Sequence, residues 1–214
     1  MVFFFNCCDG KYIIYMGKDK YENEDLIKYG WREDIWFHVD GLSSAHVYLR
    51  PPEPQIPGTT TLDIDQIPEK VLHECCQLVK QNSISGCKEK HVDIVYTPWY
   101  NLQKKPDFEP GQVAFHKKDL CRYNRKLEKD TPIVKAIEKT RVWKEVDLAK
   151  EQQDRLKREG VRERKFKQKQ AAESKKLQEQ RKKEKELQSF SDLMCEDNME
   201  SNENNAGYDS DDFM

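Results

Sequence analysis

The side chains best suited to chemistry in this 214-residue chain lie in one short stretch, WFHVDGLSSAHVYLR, at residues 36–50. It holds two histidines, His38 and His46, with Asp40 between them and Arg50 at its end. Imidazole and carboxylate groups can bind a metal or exchange protons, and rings beside a guanidinium can stack on bases and contact phosphates. Four interpretations are open: a metal site, an active site, a binding face, or ordinary sheet with partly buried histidines.

The side chains of this stretch divide between two faces if it forms two paired strands, because successive side chains of a strand point to opposite faces. One face then receives only apolar residues and is the core side: Ile35, Phe37, Val39, Val47 and Leu49. The opposite face receives the rings and charges: Trp36, His38, Asp40, His46, Tyr48 and Arg50. A one-residue slip would exchange the two sets. The sequence therefore predicts this register and an outward-facing plate of rings and cations.

The spacing gives little support to metal binding or catalysis. His38, Asp40 and His46 are candidate ligands, but no His-x-x-x-His or Cys-x-x-Cys pattern reinforces them. A second candidate set of ligands is Cys75, Cys76, Cys87 and His91. It would require Cys75 and Cys76, which are adjacent on one predicted helix, to bind the same metal. Ser43 and Ser44 lie near His46, yet nothing marks an oxyanion hole or an activated thiol. We expect no catalytic residue, no metal and no cofactor.

A second group of rings and cations follows later in the chain, in TPWYNLQKKP and FHKKDLCRYNRK. Aromatic residues interleaved with lysine and arginine are typical of nucleic-acid surfaces, although solvated loop charge is the commoner explanation of such lysines. The predicted nucleic-acid-binding residues combine both groups: Trp36, His38, His46, Tyr48, Arg50, Lys104, Lys105, Lys117, Lys118 and Arg122.

The pattern of apolar runs and turn signals predicts that these residues belong to an α+β domain over residues 1–130. The domain has a mainly antiparallel sheet and two short helices. The runs VFFF and KYIIYM flank an Asp-Gly turn signal and predict a hairpin. One helix is predicted in GKDKYENEDLIKYG, and a second is predicted with Asp65 as its N-cap and an apolar face from Val71 to Val79. Further strands are predicted in HVDIVY and, as a short pair, in QVAFHKKDLCRY.

Charge is distributed unevenly along the chain and predicts two further segments. The net charge is -2, but residues 141–188 carry 17 Lys and Arg against 10 Asp and Glu, whereas residues 189–214 carry none against 8. Thr131 as N-cap and Pro132 in the first turn predict a long basic helix over 131–188, supported by acid-to-base pairs four residues apart. Its apolar residues do not recur at the heptad spacing that a coiled coil requires, so a stable two-stranded coiled coil is poorly supported. The acidic tail is predicted to be disordered.

The seven cysteines suggest a reducing compartment, because their number is odd and two pairs are adjacent in sequence. Reduced thiols indicate the cytoplasm, the nucleus or both. The start MVFFFNCCDG lacks the basic flank and the length of a signal sequence. No window approaches the ~18–20 apolar residues that span a bilayer. Any membrane association is therefore expected to be peripheral or through a partner.

Four segments occur in the order seen in the NFACT-R domain, the RNA-binding module of the NFACT proteins of ribosome-associated quality control: GKDKYENEDL, DIWFHVDGLSSAHVYLR, VDIVYT and EPGQVAFHKKDL. The resemblance spans nearly all of residues 1–125. It implies contact with RNA, in a ribosome or tRNA setting, without assigned catalysis. It places recurrent motif positions at Gly17, Lys18, Asn23, Asp34, Trp36, His38, His46 and Arg50. The family's N-terminal NFACT domain and helix-hairpin-helix segment have no counterpart in this sequence, so tRNA recruitment and tail synthesis are not implied.

Two classes of function remain. The first is a non-enzymatic protein that binds RNA or DNA through an aromatic and basic sheet face, with the basic helix attracting phosphates. The second is a protein-interaction adaptor, at a membrane surface or on ribosome-associated complexes, with the helix as a spacer. Composition alone does not separate RNA from DNA.

Overall fold

The computed structural model describes residues 2–7, 10–53 and 63–193, with side chains of the last helix described to residue 190. Residues up to Glu163 make one compact unit that contains the whole sheet, and the chain from Arg164 onward belongs to a second unit. The α+β class predicted from the sequence is confirmed. The predicted disorder of the acidic tail concerns residues that, from 194 onward, lie outside the described part of the chain.

The described residues include one seven-stranded sheet and a separate two-stranded hairpin. The strands of the large sheet are β1 (Val2–Asn6), β2 (Ile13–Gly17), β3 (Ile35–Val39), β4 (Val47–Arg50), β5 (Val92–Pro98), β8 (Arg122–Leu127) and β9 (Val142–Lys144). Their spatial order is β8-β5-β3-β4-β2-β1-β9, and every neighbouring pair is antiparallel. The small hairpin pairs β6 (Leu102–Gln103) with β7 (Ala114–Phe115). The predicted hairpin of β1 with β2 is confirmed.

Four α-helices lie in the described parts of the chain: α1 (Lys20–Tyr29), α2 (Glu69–Gln81), α3 (Thr131–Lys139) and α4 (Leu148–Leu193). α1 begins after Asp19, whose carboxylate accepts hydrogen bonds from the N–H groups of Tyr21 and Glu22, both at 3.0 Å. Such an N-cap fixes where the helix starts. No helix of the described chain has both the length and the apolar character needed to cross a membrane.

The start of α2 differs from the sequence-based expectation. The sequence predicts Asp65 as the N-cap of this helix, but α2 begins after Pro68 and Asp65 lies in a short 3-10 turn. Its carboxylate instead binds the Arg122 guanidinium through two contacts of 2.7 and 2.9 Å. Arg122, which is distant in sequence, therefore binds the carboxylate that local spacing predicts as the helix cap.

The helix predicted over residues 131–188 is in fact two helices separated by a strand. α3 ends at Lys139, and β9 then pairs with β1 along the edge of the sheet. Val134 and Ile137 of α3 are buried, so the segment packs on the sheet before the chain turns into β9. Pairing with β1 satisfies the backbone donors and acceptors along one edge of β9, and this tertiary pairing overrides the local helical preference.

The large sheet is packed on both faces. On one face, α2 and α3 cover the apolar set predicted for the core: Ile35, Phe37, Val39, Val47 and Leu49. On the other face, side chains from α1, β6 and β7 cover a second cluster that includes Tyr15, Trp36, Tyr48 and Val95. The pairs Trp36–Tyr48 and Phe37–Val47 confirm the predicted register. The second face, however, does not point outward, and the expectation of an open plate is wrong.

Gly30, at the end of α1, leaves no room for a larger residue. A Cβ there would lie 2.2–2.6 Å from three atoms of the Trp99 indole, whose Nε1 donates to the carbonyl oxygen of Ile27 at 3.0 Å. We expect Gly30→Ala to lower the free energy of unfolding by about 1–3 kcal/mol through this overlap, measured by urea denaturation. Gly160 has no atom within 4 Å of the same position, so Gly160→Ala is the matched control and should not destabilise. Equal stability of both variants would contradict the steric explanation.

Candidate nucleic-acid interface

A cleft of about 1020 Å³ opens at one end of the sheet. We call it the sheet-end cleft; its walls come from the last residues of β2, the start of α1, the end of β3, the loop before β4, the end of α2 and the loop before β7. A smaller cleft of about 540 Å³, the hairpin cleft, is lined by residues of β3, β5 and β7. The two clefts share His38, His46, Gly111 and Gln112.

The sheet-end cleft brings together five of the eight motif positions that the family resemblance singled out. They are Gly17, Lys18, Asn23, His38 and His46. Elements far apart in the sequence supply them, namely the end of β2, α1, the end of β3 and the residue before β4. The convergence makes this cleft the candidate functional site.

A packed group of three rings forms the wall between the two clefts. The Trp36 and His38 rings are nearly parallel, with centroids 5.4 Å apart and an interplanar angle of 4°. The His46 ring stands edge-on to both, and its Nδ1 accepts a hydrogen bond from Trp36 Nε1 at 2.9 Å. Burial lowers the pKa of His46 to about 3 and also lowers the pKa of His38. Both imidazoles are therefore neutral at neutral pH.

This neutrality makes stability depend on pH in a defined direction. His46 has a pKa near 6.5 when unfolded and about 3 when folded. Below pH 6.5 the unfolded chain takes up a proton that the folded chain does not, so stability falls as pH falls. At pH 5 this costs about 2 kcal/mol relative to pH 8. In urea denaturation, His46→Gln should reduce the loss between pH 8 and pH 5 by about that amount.

The exposed histidine His91, which faces Glu128 at 3.6 Å, provides the matched control for this pH effect. His91→Gln removes an exposed histidine and leaves the ring cluster of Trp36, His38 and His46 intact, so the effect of His46→Gln is compared with it. A His46→Gln variant that loses as much stability as the unaltered protein over this range would show that His46 does not titrate as its burial requires.

Asn23 lines the sheet-end cleft but keeps its side-chain oxygen buried. The residue is 8% exposed, and its Oδ1 has no hydrogen-bond partner among the described residues. A Cβ on Gly17 would lie 2.6 Å from this oxygen, so glycine allows β2 to pass close to the amide. The close approach of β2 buries this oxygen, so the Asn23 oxygen itself is closed to a ligand in the cleft.

The formal charges of the sheet-end cleft are balanced. The lining residues include three cations and three carboxylates: Lys18, Lys20 and Arg141, with Asp19, Asp107 and Glu109. Asp19 is already engaged as the cap of α1. With neutral histidines, the cleft has no net charge to attract a polyanion, and its selectivity must come from shape, stacking and hydrogen bonds.

Arg50 belongs to a buried network and does not face outward as predicted. Its Nε and Nη2 donate to the two carboxylate oxygens of Asp34 at 3.0 and 2.9 Å. Tyr15 also donates to Asp34, at 2.5 Å, and the Arg50 guanidinium carbon lies 3.5 Å from the Trp31 ring centroid. The expected phosphate contact is thus replaced by an intramolecular pair, because Asp34 is fully buried and requires a counter-ion.

The other two aromatic predictions on this face are also interior residues. Trp36 is 2% and Tyr48 0% exposed, because Phe115 packs edge-on against Trp36 at 5.6 Å and Tyr15 stacks on Tyr48 at 5.0 Å. His46, at 3%, lines both clefts but presents little surface. Of the predicted sheet-face residues, His38 is therefore the one that combines partial exposure with a place in both clefts.

Two of the predicted basic residues make intramolecular contacts. Lys104 Nζ pairs with Glu24 at 2.7 Å and donates to the carbonyl oxygens of Glu109 and Gln112, so it ties the loop before β7 to α1. Arg122 is held by Asp65. The other three are exposed but line neither cleft: Lys105, Lys117 and Lys118. Their role in binding stays a prediction.

Sequence reasoning missed Lys20 and Arg141 as cleft residues. Lys20 follows the N-cap Asp19, so the cap pattern with flanking lysines was the available signal. Arg141 offered no local signal, because it reaches the cleft only through the pairing of β9 with β1.

In the described residues, no group of three His, Cys, Asp or Glu side chains is arranged to hold a metal ion. His38 Nδ1 lies 2.7 Å from the carbonyl oxygen of Val39, and His46 Nδ1 is occupied by Trp36. Burial raises the pKa of the Cys76 thiol to about 12 and that of Cys75 well above its ordinary value. Neither thiol is therefore poised as a nucleophile or a metal ligand.

Comparison with known proteins decides the family. Residues 1–117 match the family described as "NFACT protein RNA binding domain". The chain belongs to the NFACT-R family. The match covers β1 to β7, which carry both clefts except for Arg141.

Relatives of this NFACT-R chain occur in distant eukaryotes. Coiled-coil domain-containing protein 25 homolog of Dictyostelium discoideum is 57% identical over 159 residues, 74% of each chain. Coiled-coil domain-containing protein 25 of Danio rerio is 49% identical over 216 residues and 100% of both chains. Protein JLP2 of Saccharomyces cerevisiae is 44% identical over 133 residues, 61% of each chain.

The fold of the NFACT-R domain is also found among solved structures. An example is the C-terminal part of the fibronectin/fibrinogen-binding protein from Streptococcus suis, with a TM-score of 0.50 at 19% identity. The match covers 63% of this chain and 47% of that one. At this identity the likeness concerns the fold alone.

Proposed function

We propose that this protein binds nucleic acid, with RNA as its natural ligand, and that it catalyses no reaction on it. The observation that carries the proposal is the convergence of five family motif positions on the sheet-end cleft. The family description as an RNA-binding domain supports RNA over DNA. A ribosome- or tRNA-associated RNA in the cytoplasm or nucleus fits the family and the reduced cysteines.

The basic segment of α4 and the cleft would contribute differently to binding. Residues 164–190 carry 10 Lys and Arg against 4 Asp and Glu, and all of these cations are exposed. Such a segment attracts any polyanion by releasing its counter-ions, so its contribution depends steeply on salt. The sheet-end cleft, with balanced charges, would add recognition that changes little with salt.

The test is binding of the full chain to single- and double-stranded RNA and DNA of equal length, by fluorescence anisotropy at several salt concentrations. We expect a log–log slope of about -0.7 to -0.9 for each phosphate neutralised, and the tightest binding for single-stranded RNA. Absent or salt-independent binding for all four ligands would end the proposal.

A protein-interaction adaptor is the second candidate, and one observation favours it. β9 is an edge strand of the sheet, and its Val142 and Trp143 are 47% and 50% exposed. Unpaired edge strands with apolar side chains are common docking sites for another chain. Affinity purification from nuclease-treated lysate separates the two functions, because partners of an adaptor remain after the nucleic acid is destroyed.

A further inference from the structure

We propose that the sheet-end cleft receives a single unpaired nucleobase, which stacks on the imidazole of His38. This inference rests on the proposed function and names the part of the nucleic acid that the cleft recognises. It assigns to His38 a contact with the ligand, and to Trp36 and His46 the task of holding the His38 ring in place.

The geometry of His38 is that of a stacking platform. Trp36 covers one face of its ring in parallel, at 5.4 Å and 4°, and Phe115 packs edge-on against Trp36 from the hairpin side. His38 itself is partly exposed and lines both clefts. A base placed against the remaining ring face would extend an existing stack of aromatic rings.

The platform is fixed before any ligand arrives. Trp36 is 2% exposed and donates to His46 Nδ1 at 2.9 Å, while His38 Nδ1 lies 2.7 Å from the Val39 carbonyl oxygen. A ring held in its binding orientation loses little conformational entropy when a base stacks on it. Base–aromatic stacking contributes to affinity in single-strand-binding proteins, and it tolerates any base because every base has a π-face.

The charge of the site favours a base over a phosphate. The lining charges cancel, and His38 is neutral, so the cleft as a whole has no net positive charge that would favour a phosphate over an uncharged base. A nucleobase is uncharged and needs hydrogen-bonding groups instead. The Asn23 side chain lines the same cleft, and the NH2 group of its amide can donate a hydrogen bond to the edge of a base.

Size and access restrict the base to an unpaired one. A volume of about 1020 Å³ lies at the upper end of the range for small-molecule sites, about 300–1,000 Å³, and so accommodates a nucleotide. A base inside a duplex already stacks and pairs with its neighbours, and it cannot enter a cleft without leaving the helix. The exposed cations Lys18 and Lys20 line the same cleft and can contact the phosphates on either side of the inserted base.

The experiment compares three probes of equal length on the full chain: a single-stranded RNA, the same backbone with abasic residues, and a perfect RNA duplex. We expect the base-bearing single strand to bind about tenfold more tightly than either other probe at moderate salt. A 2-aminopurine in the single strand should change its fluorescence on binding, because stacking on His38 alters its surroundings. Equal affinity for the abasic probe would overturn the inference while leaving nucleic-acid binding intact.

Substitutions of His38 test whether the base stacks on this ring. His38→Ala should weaken single-strand binding about five- to tenfold without changing the abasic affinity, and His38→Phe, which keeps a ring, should restore most of the loss. His91→Ala is the matched control, since His91 is exposed and lines neither cleft. A His38→Ala variant that binds as the His91→Ala control does would overturn the inference. Failure of all three probes to bind would instead reject the proposed function itself.

Discussion

Replacing Asp34 with asparagine should lower the free energy of unfolding by about 3–5 kcal/mol. The Asp34 side chain is fully buried and accepts hydrogen bonds from Arg50, Tyr15 and the Trp31 N–H. An amide in its place turns one oxygen into a donor that faces the guanidinium, and it leaves the Arg50 charge with only the more exposed Glu151 carboxylate, 4.0 Å away. Urea denaturation followed by tryptophan fluorescence measures the loss.

The chain supplies its own matched control for Asp34. Asp65 and Arg122 form a two-contact pair of the same geometry, but their side chains are 58% and 37% exposed. Water replaces the lost partner at such a site, so Asp65→Asn should cost far less than Asp34→Asn. Comparable losses for the two variants would show that the Asp34 network does not stabilise the fold through its burial.

The double variant Asp34→Asn with Arg50→Met offers a further check. Removing both charges leaves neither partner buried alone, so its cost should fall well short of the sum of the two single costs. If the losses simply add, Asp34 and Arg50 act independently and the network is not a unit.

Alternation along the strands predicted much of the sheet. The division of residues 35–50 into two faces follows from the period of a strand, and the observed pairs Ile35–Leu49 and Trp36–Tyr48 agree with it. The hairpin of β1 with β2 and the strand β5 were likewise readable from short apolar runs between turn signals. These features depend on local spacing, which one sequence contains.

What covers the second face was not readable from local spacing. Rings and cations on a strand face can mark either an open binding surface or a second core, and the choice depends on whether distant segments fold over it. Here Leu26 of α1 and Phe115 of β7 do so. The apolar Val95 on the same face of β5 was the one local hint that this face is interior.

The candidate site was predicted in part. His38 and His46 came from the spacing in residues 36–50, and Lys18 and Asn23 came from the family resemblance. Arg141 and the hairpin cleft depend on the pairing of β9 with β1 and on the position of β7. Such contacts are set by tertiary packing, for which neither charge nor periodicity gives a signal.

Neutralising the basic segment of α4 should reduce nucleic-acid affinity at low salt by about a hundredfold or more. The variant replaces six exposed cations with glutamine: Lys175, Lys176, Arg181, Lys182, Lys183 and Lys185. Each cation that contacts a phosphate of a single strand contributes about -0.7 to the log–log salt slope, so the slope should flatten by up to about 4. Anisotropy titrations with single-stranded RNA over a salt series measure both quantities.

The matched control replaces the five lysines among these six residues with arginine. It keeps every positive charge of the segment and changes only the side chains. Glutamine, lysine and arginine have similar helix propensities, so circular dichroism should report equal helix content in both variants. The arginine variant should bind with an unchanged slope, because counter-ion release depends on the number of charges. His38→Ala should act in the opposite manner, with lower affinity at every salt concentration and an unchanged slope. If the glutamine and arginine variants bind alike, phosphate attraction does not come from this segment.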